Sequence, residues 1–170
     1  MLAVRRILVP IDFSPPSRAA LEYAVALAAP LGASLEVLHV WEPPAYVGPE
    51  AVAFVPVDVA RQAWEEVRGG VQGEVEHLVA AVAGTFPVHV SVIPGTPAEL
   101  IPEVAAEVGA ELVVMGTHGR TGLARVLMGS VAEAVVRRAP CPVLTLRAPK
   151  RGAGERARER PWGSTPSSAT

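Results

Sequence analysis

Five short runs rich in apolar and β-branched residues recur along the chain, and segments with helical spacing separate them. The runs are 6–10, 34–40, 88–93, 111–115 and 143–146. Strands apolar on both faces that alternate with helices imply a parallel sheet covered on both sides. No period of 20–50 residues repeats, which speaks against a solenoid.

The helical segments carry start and stop signals. Ser14 is a natural N-cap, with Pro15 in the first helical position. Ala20, Tyr23, Ala24, Leu27 and Leu31 follow at helical spacing, and Gly32 closes the helix. Val59, Ala63, Val67, Val71, Val75, Leu78 and Val82 mark a long helix, in which Gly69, Gly70 and Gly73 predict a kink or break. Thr96-Pro97-Ala98-Glu99 and Ser130-Val131-Ala132-Glu133 read as capping boxes. The first opens a helix ending near Gly109, the second a helix ending near Ala139. Pro140-Cys141-Pro142 reads as a tight turn into the last strand. Residues 41–57 hold four prolines and predict a long irregular connection, with Trp41 and Tyr46 either closing over a pocket or packing on the sheet edge.

Right-handed crossovers leave few topologies. The expected fold is an open five-stranded parallel sheet of order 3-2-1-4-5, Rossmann-like, with helices on both faces. In such sheets ligands bind beyond the carboxyl ends of the strands, where the strand order reverses. Two segments meet there: Pro10-Ile11-Asp12-Phe13-Ser14 after the first strand, and the glycine-rich stretch from Gly116 to Gly129 after the fourth. Glycine lets a backbone approach a ligand closely. The helix start at Gly129-Ser130 offers unpaired N–H groups and positive potential, which suits a phosphate. Arg120 and Arg125 add charge to the same loop. Asp12 can serve a ribose hydroxyl or a metal, or form an Asx turn before the helix. No G-x-x-x-x-G-K-[ST] loop is present, and no G-x-G-x-x-G follows the first strand.

The spacing Gly116-x2-Gly119-x9-Gly129-Ser130 resembles the nucleotide-binding signature of the universal stress protein family. The opening Arg6-Ile-Leu-Val-Pro-Ile-Asp-Phe-Ser14, Leu38-His39-Val40, Val113-Val-Met-Gly-Thr-His-Gly-Arg120 and Cys141-Pro-Val-Leu144 are similar to that family as well. The resemblance covers residues 1–147. It implies that Pro10, Ile11 and Asp12 line the adenine and ribose side and that Val40 packs near the adenine. Met115, Gly116, His118 and Gly119 would follow ribose and phosphates. Gly129, Ser130 and Val131 would hold the phosphates of ATP, which Mg2+ can accompany. It also implies a homodimer formed through the last strand.

Composition narrows the remaining choices. Cys141 is the only cysteine, so a disulfide scaffold is excluded. No apolar run approaches the ~20 residues of a membrane span, and Asp12 with Pro15-Pro16 interrupts any leader. The expectation is a soluble cytoplasmic protein. A net charge of -2 does not suggest a nucleic-acid binder. Residues 147–170 carry six Lys or Arg against two Glu, so residues 148–170 read as a basic, flexible tail.

His39, His77 and His89 have no metal-ligand spacing with one another or with Cys141, which reads as a small buried residue. No nucleophile–base pair is evident, so no catalytic residue is assigned. The expected function is an ATP-binding regulatory protein of the stress response, acting as a dimer through nucleotide-dependent conformation. The rivals are a slow ATP hydrolase, a dimeric module that binds no nucleotide, and a receptor for another adenosine compound such as AMP or a cyclic nucleotide.

Overall fold

The structure is a computed structural model of the 170-residue chain and describes residues 4–42, 57–117 and 128–147. Five strands are β1 (Arg6–Pro10), β2 (Ser34–Trp41), β3 (Val88–Pro94), β4 (Leu112–Gly116) and β5 (Val143–Leu146). The helices among the described residues are α1 (Pro15–Leu31), α2 (Val57–Ala83), α3 (Pro97–Glu107) and α4 (Ser130–Arg138). All strand pairings are parallel, and the order is β3-β2-β1-β4-β5, as the alternation predicts.

Alternation along the strands sends side chains into two cores. Ile7, Val9, Leu35, Val37 and Val114 face α1 and α2, where they meet Leu21 and Val75. Leu8, Leu38, Val40, Val113 and Met115 face α3 and α4, where they meet Ile101 and Val135. Both faces of β1 are thus sealed, which is why its sequence reads as a continuous apolar run.

The helix signals hold in part. Ser14 Oγ accepts the Ser17 N–H at 3.4 Å, Pro15 follows, and Gly32 closes α1 at φ 63. The face of α1 that is buried is Ser17, Ala20, Leu21, Ala24 and Ala28, whereas Tyr23 and Leu31 are exposed. In α2 the predicted break is absent: helix runs without interruption through Gly69, Gly70 and Gly73. All three are exposed and a methyl group at any of them would meet nothing, so no packing is lost there. Burial of Val75 and Val79 at i, i+4 spacing offsets a propensity cost of ~1 kcal/mol per glycine. Val59 and Val67 of the expected apolar stripe are exposed.

Thr96 precedes α3 with Pro97 in its first turn, but its side chain makes no capping bond. Pro102 lies inside α3, where a proline leaves the carbonyl four residues earlier without its helical donor. That carbonyl belongs to Ala98, and it accepts a 3.4 Å hydrogen bond from the Arg138 guanidinium at the end of α4. The two helices on this face are thereby tied end to end.

One glycine is dictated by close approach. A Cβ at Gly116 would lie 2.8 Å from Pro16 Cβ, 2.9 Å from the Pro16 carbonyl carbon and 3.0 Å from Ser17 N. The last residue of β4 therefore rests directly on the first turn of α1. Gly116→Ala should lower stability by about 1–3 kcal/mol through overpacking, read as a drop in thermal midpoint of ligand-free protein. Gly69→Ala, in open space on α2, should raise stability by about 0.5–1 kcal/mol.

Candidate functional site

The connections leave β1 and β4 on opposite sides of the sheet, so a hollow opens between their carboxyl ends. A cavity of about 500 Å³ occupies this position. Pro10, Ile11 and Asp12 enter it from the end of β1, and Val40 from β2. Met115 and Gly116 enter from β4, and Gly129, Ser130 and Val131 from the start of α4. Nine of the twelve residues singled out in the sequence are thus brought to one cavity. The other three, His118, Gly119 and Arg120, lie outside the described residues, as does Arg125.

Several lining residues escaped the sequence reading. Pro97 and Ile101 bring the first turns of α3 to the cavity, because β3 ends at the same sheet edge. Topology alone contained that signal. Trp41, expected in the sequence either over a pocket or on the sheet edge, lines the cavity from the end of β2 and is half-buried, whereas Pro43, Pro44 and Tyr46 lie outside the described residues. His39, Glu42, Ser17 and Thr117 also contribute to the wall.

The loop after β1 is tightly cross-bonded. Asp12 Oδ1 accepts from the Ser14 N–H at 3.1 Å and from the Ser14 hydroxyl at 2.5 Å. Ser17 Oγ accepts from the Asp12 N–H at 3.3 Å and donates to the Ser14 carbonyl at 3.0 Å. The Asx turn expected of Asp12 is therefore formed through one carboxylate oxygen, and the residue also lines the cavity. Phe13 takes φ 64, a left-handed conformation that costs an L-residue about 1–2 kcal/mol. Its ring packs against His39, with centroids 4.8 Å apart and planes tilted by 55°. An aromatic pair contributes about 0.5–1.5 kcal/mol, comparable to the backbone cost. The buried His39 also bonds the Ile11 carbonyl through Nδ1 at 2.8 Å.

At the opposite wall the predicted capping box of α4 does not form. Gly129 is the N-cap, with ordinary extended angles of φ -73 and ψ 156, and Ser130 is the first helical residue. No side chain caps this helix, and Glu133 instead pairs with Arg137 at 2.7 Å. The Gly129 N–H donates to the Thr117 carbonyl at 2.7 Å, which anchors the helix start to the end of β4. The first-turn N–H groups and the Ser130 hydroxyl thus stand at the cavity without a capping side chain. Helix starts attract anions through these groups and the aligned peptide dipoles.

Charge on the described wall is negative, from Asp12 and Glu42; no Lys or Arg among the described residues lines it. The described residues contain no cluster of three or more His, Cys, Asp or Glu, and none of their helices is long and apolar enough to cross a membrane. Cys141 is half-buried beside β5, not fully buried. Burial pushes its thiol above the ordinary value, against an opposing hydrogen bond with the Val113 backbone. A raised value leaves less of the reactive thiolate at neutral pH.

The two serines at helix starts should respond differently to truncation. Ser14→Ala removes a cap and a partner of Asp12, and should cost about 1 kcal/mol in chemical denaturation. Ser130→Ala removes no cap, and should stay within about 0.5 kcal/mol of the parent protein.

Comparison with known proteins identifies the family and the fold. The model of the universal stress protein family matches residues 3–147. Universal stress protein MJ0531 of Methanocaldococcus jannaschii is 33% identical over 152 residues, covering 86% of this chain and 84% of its own length. The structure of hypothetical protein MJ0577 superposes with a TM-score of 0.72 at 25% identity, covering 88% of this chain and 99% of that one. A universal stress protein crystallised in complex with cAMP superposes with a TM-score of 0.59 at 26% identity, covering 86% and 99%. With a family match that spans all the described residues and the expected strand order beneath it, this chain belongs to the universal stress protein family.

Proposed function

We propose that this protein binds an adenine nucleotide, ATP in the first instance, in the cavity between the carboxyl ends of β1 and β4. The observation that carries the reading is the pairing of an apolar pocket with an uncapped helix start in one hollow. Val40 and Met115 offer apolar surface suited to an adenine ring, and Ile101 adds to it from α3. Asp12 offers a carboxylate to a ribose hydroxyl. The first turn of α4 offers N–H groups to the phosphates. His118, Gly119 and Arg120 complete the same site in this reading.

A volume of about 500 Å³ lies within the ordinary range for a small-molecule pocket. Mg2+ would accompany the nucleotide's phosphates. The protein acts in this reading as a cytoplasmic homodimer in the stress response. Nucleotide-dependent conformation of the connection 41–57, or of the dimer contact, is the signal. Regulation is preferred to turnover because in-line attack on a terminal phosphate needs a base or water-positioning group. In this reading the Asp12 carboxylate, bonded to Ser14 through Oδ1, serves the ribose and not a terminal phosphate.

A second reading keeps the site and changes the ligand to AMP or a cyclic nucleotide. The cAMP complex of a family member at 26% identity favours it. Titration calorimetry with ATP, AMP and cAMP separates the two. ATP should bind more tightly than AMP if the helix start holds the outer phosphates; the reverse order selects the second reading. Asp12→Ala should weaken ATP about 10- to 100-fold, the loss of a hydrogen bond to a charged group. Failure of all three nucleotides to bind at millimolar concentration overturns the site.

A further inference from the structure

We propose that His39 is a positioning residue for the nucleotide site: it holds the loop after β1 so that Asp12 meets the ribose. This rests on the nucleotide reading given above. Alternation along β2 puts Leu35, Val37 and His39 on one face, opposite Leu38 and Val40. The imidazole therefore lies behind the loop, on the α1–α2 side of the sheet. Ile11 leaves the strand with its N–H bonded to the Leu38 carbonyl at 2.9 Å, and its own carbonyl is taken by His39 Nδ1 at 2.8 Å. A carbonyl can only accept, so Nδ1 carries the proton.

Two residues later the chain turns through the left-handed Phe13, whose ring packs on the same imidazole. Asp12 is the residue between these two attachments. Its neighbours on either side are both held by His39, one through a carbonyl and one through a ring. The serine bonds to Asp12 Oδ1 set the rotation of the carboxylate within the loop. His39 sets where the loop itself stands relative to β2. Removing it releases Phe13 from an unfavourable conformation and lets Asp12 drift from the cavity wall, and a drift of about 1 Å is enough to lose a directed hydrogen bond.

The test uses full-length protein and reads ribose discrimination, the ratio of Kd for 2′-deoxy-ATP or 3′-deoxy-ATP to Kd for ATP. The unaltered protein should show a ratio of about 10 or more for at least one analogue. Asp12→Asn and His39→Phe should both bring it close to one. His39→Asn places an amide N–H near the Nδ1 position and should recover most of the discrimination. A role confined to packing would lower the thermal midpoint of His39→Phe without changing the ratio. If His39→Phe does not fold, His39→Gln carries the same expectation, since its amide reaches toward Nε2 instead. Full discrimination in the folded His39 variants, alongside its loss in Asp12→Asn, overturns the positioning role alone. A ratio of one in the unaltered protein, or no effect of Asp12→Asn, overturns the ribose role of Asp12 and the positioning role with it.

Discussion

The pairing of β1 with β4 is the constraint on which the rest depends. Ile7 lies against Leu112 and Leu8 against Val113, so the first strand sits beside a strand from the far half of the chain. On one side of this seam the crossovers run outward to β2 and β3, on the other to β5. Chain leaving β1 and chain leaving β4 must therefore diverge, and a hollow at their carboxyl ends is unavoidable. Gly116 shows how tightly the seam is drawn. Its backbone stands so close to Pro16 and Ser17 that a methyl group would collide. The glycine that resembles a ligand-binding position is thus required first by packing of β4 against α1.

The two walls of the hollow divide the electrostatic work. Asp12 and Glu42 make the β1–β2 side negative, while the α4 start presents the positive end of a helix. A helix start contributes about 0.3–1 kcal/mol toward an exposed anion and up to ~2 kcal/mol when partly buried. That is too little to hold a polyphosphate against two nearby carboxylates. It is adequate when the carboxylates serve the sugar and the phosphates lie toward α4. For the adenylate proposed above, the separation of charge along the cavity favours one orientation over its reverse.

Much of this was legible in the residues. The strands were readable because both faces are apolar, and the order followed from crossover handedness. Pro10, Ile11 and Asp12 could be placed because the reversal point fixes where a site must be. The losses have local physical causes. The glycines of α2 suggested a break, but exposure at all three left nothing for a break to relieve. Ser130 and Glu133 have the spacing of a capping box, yet Arg137 one turn later takes the Glu133 carboxylate. The structural role of His39 is not legible in the sequence, because its bond to the Ile11 carbonyl joins β2 to the loop after β1, a contact that no local motif encodes. Pro97 and Ile101 were missed because each belongs to a helix that looked purely structural until the sheet edge was assembled.

The long separation between β1 and β4 also governs when the hollow exists. A nascent chain that has emerged through Pro94 can lay β1, β2 and β3 side by side, since those pairings join neighbours in sequence. At ~5–20 residues per second, translation of the stretch from Ile7 to Leu112 takes on the order of 5–20 seconds. For all of that time one side of β1 has no strand beside it, and there is nowhere for a ligand to lodge. Small molecules stabilise only conformations that can receive them. A ligand in this hollow therefore gives the early intermediate no help. The whole thermodynamic contribution of any such ligand would fall on the late docking of β4, the step that completes the hollow.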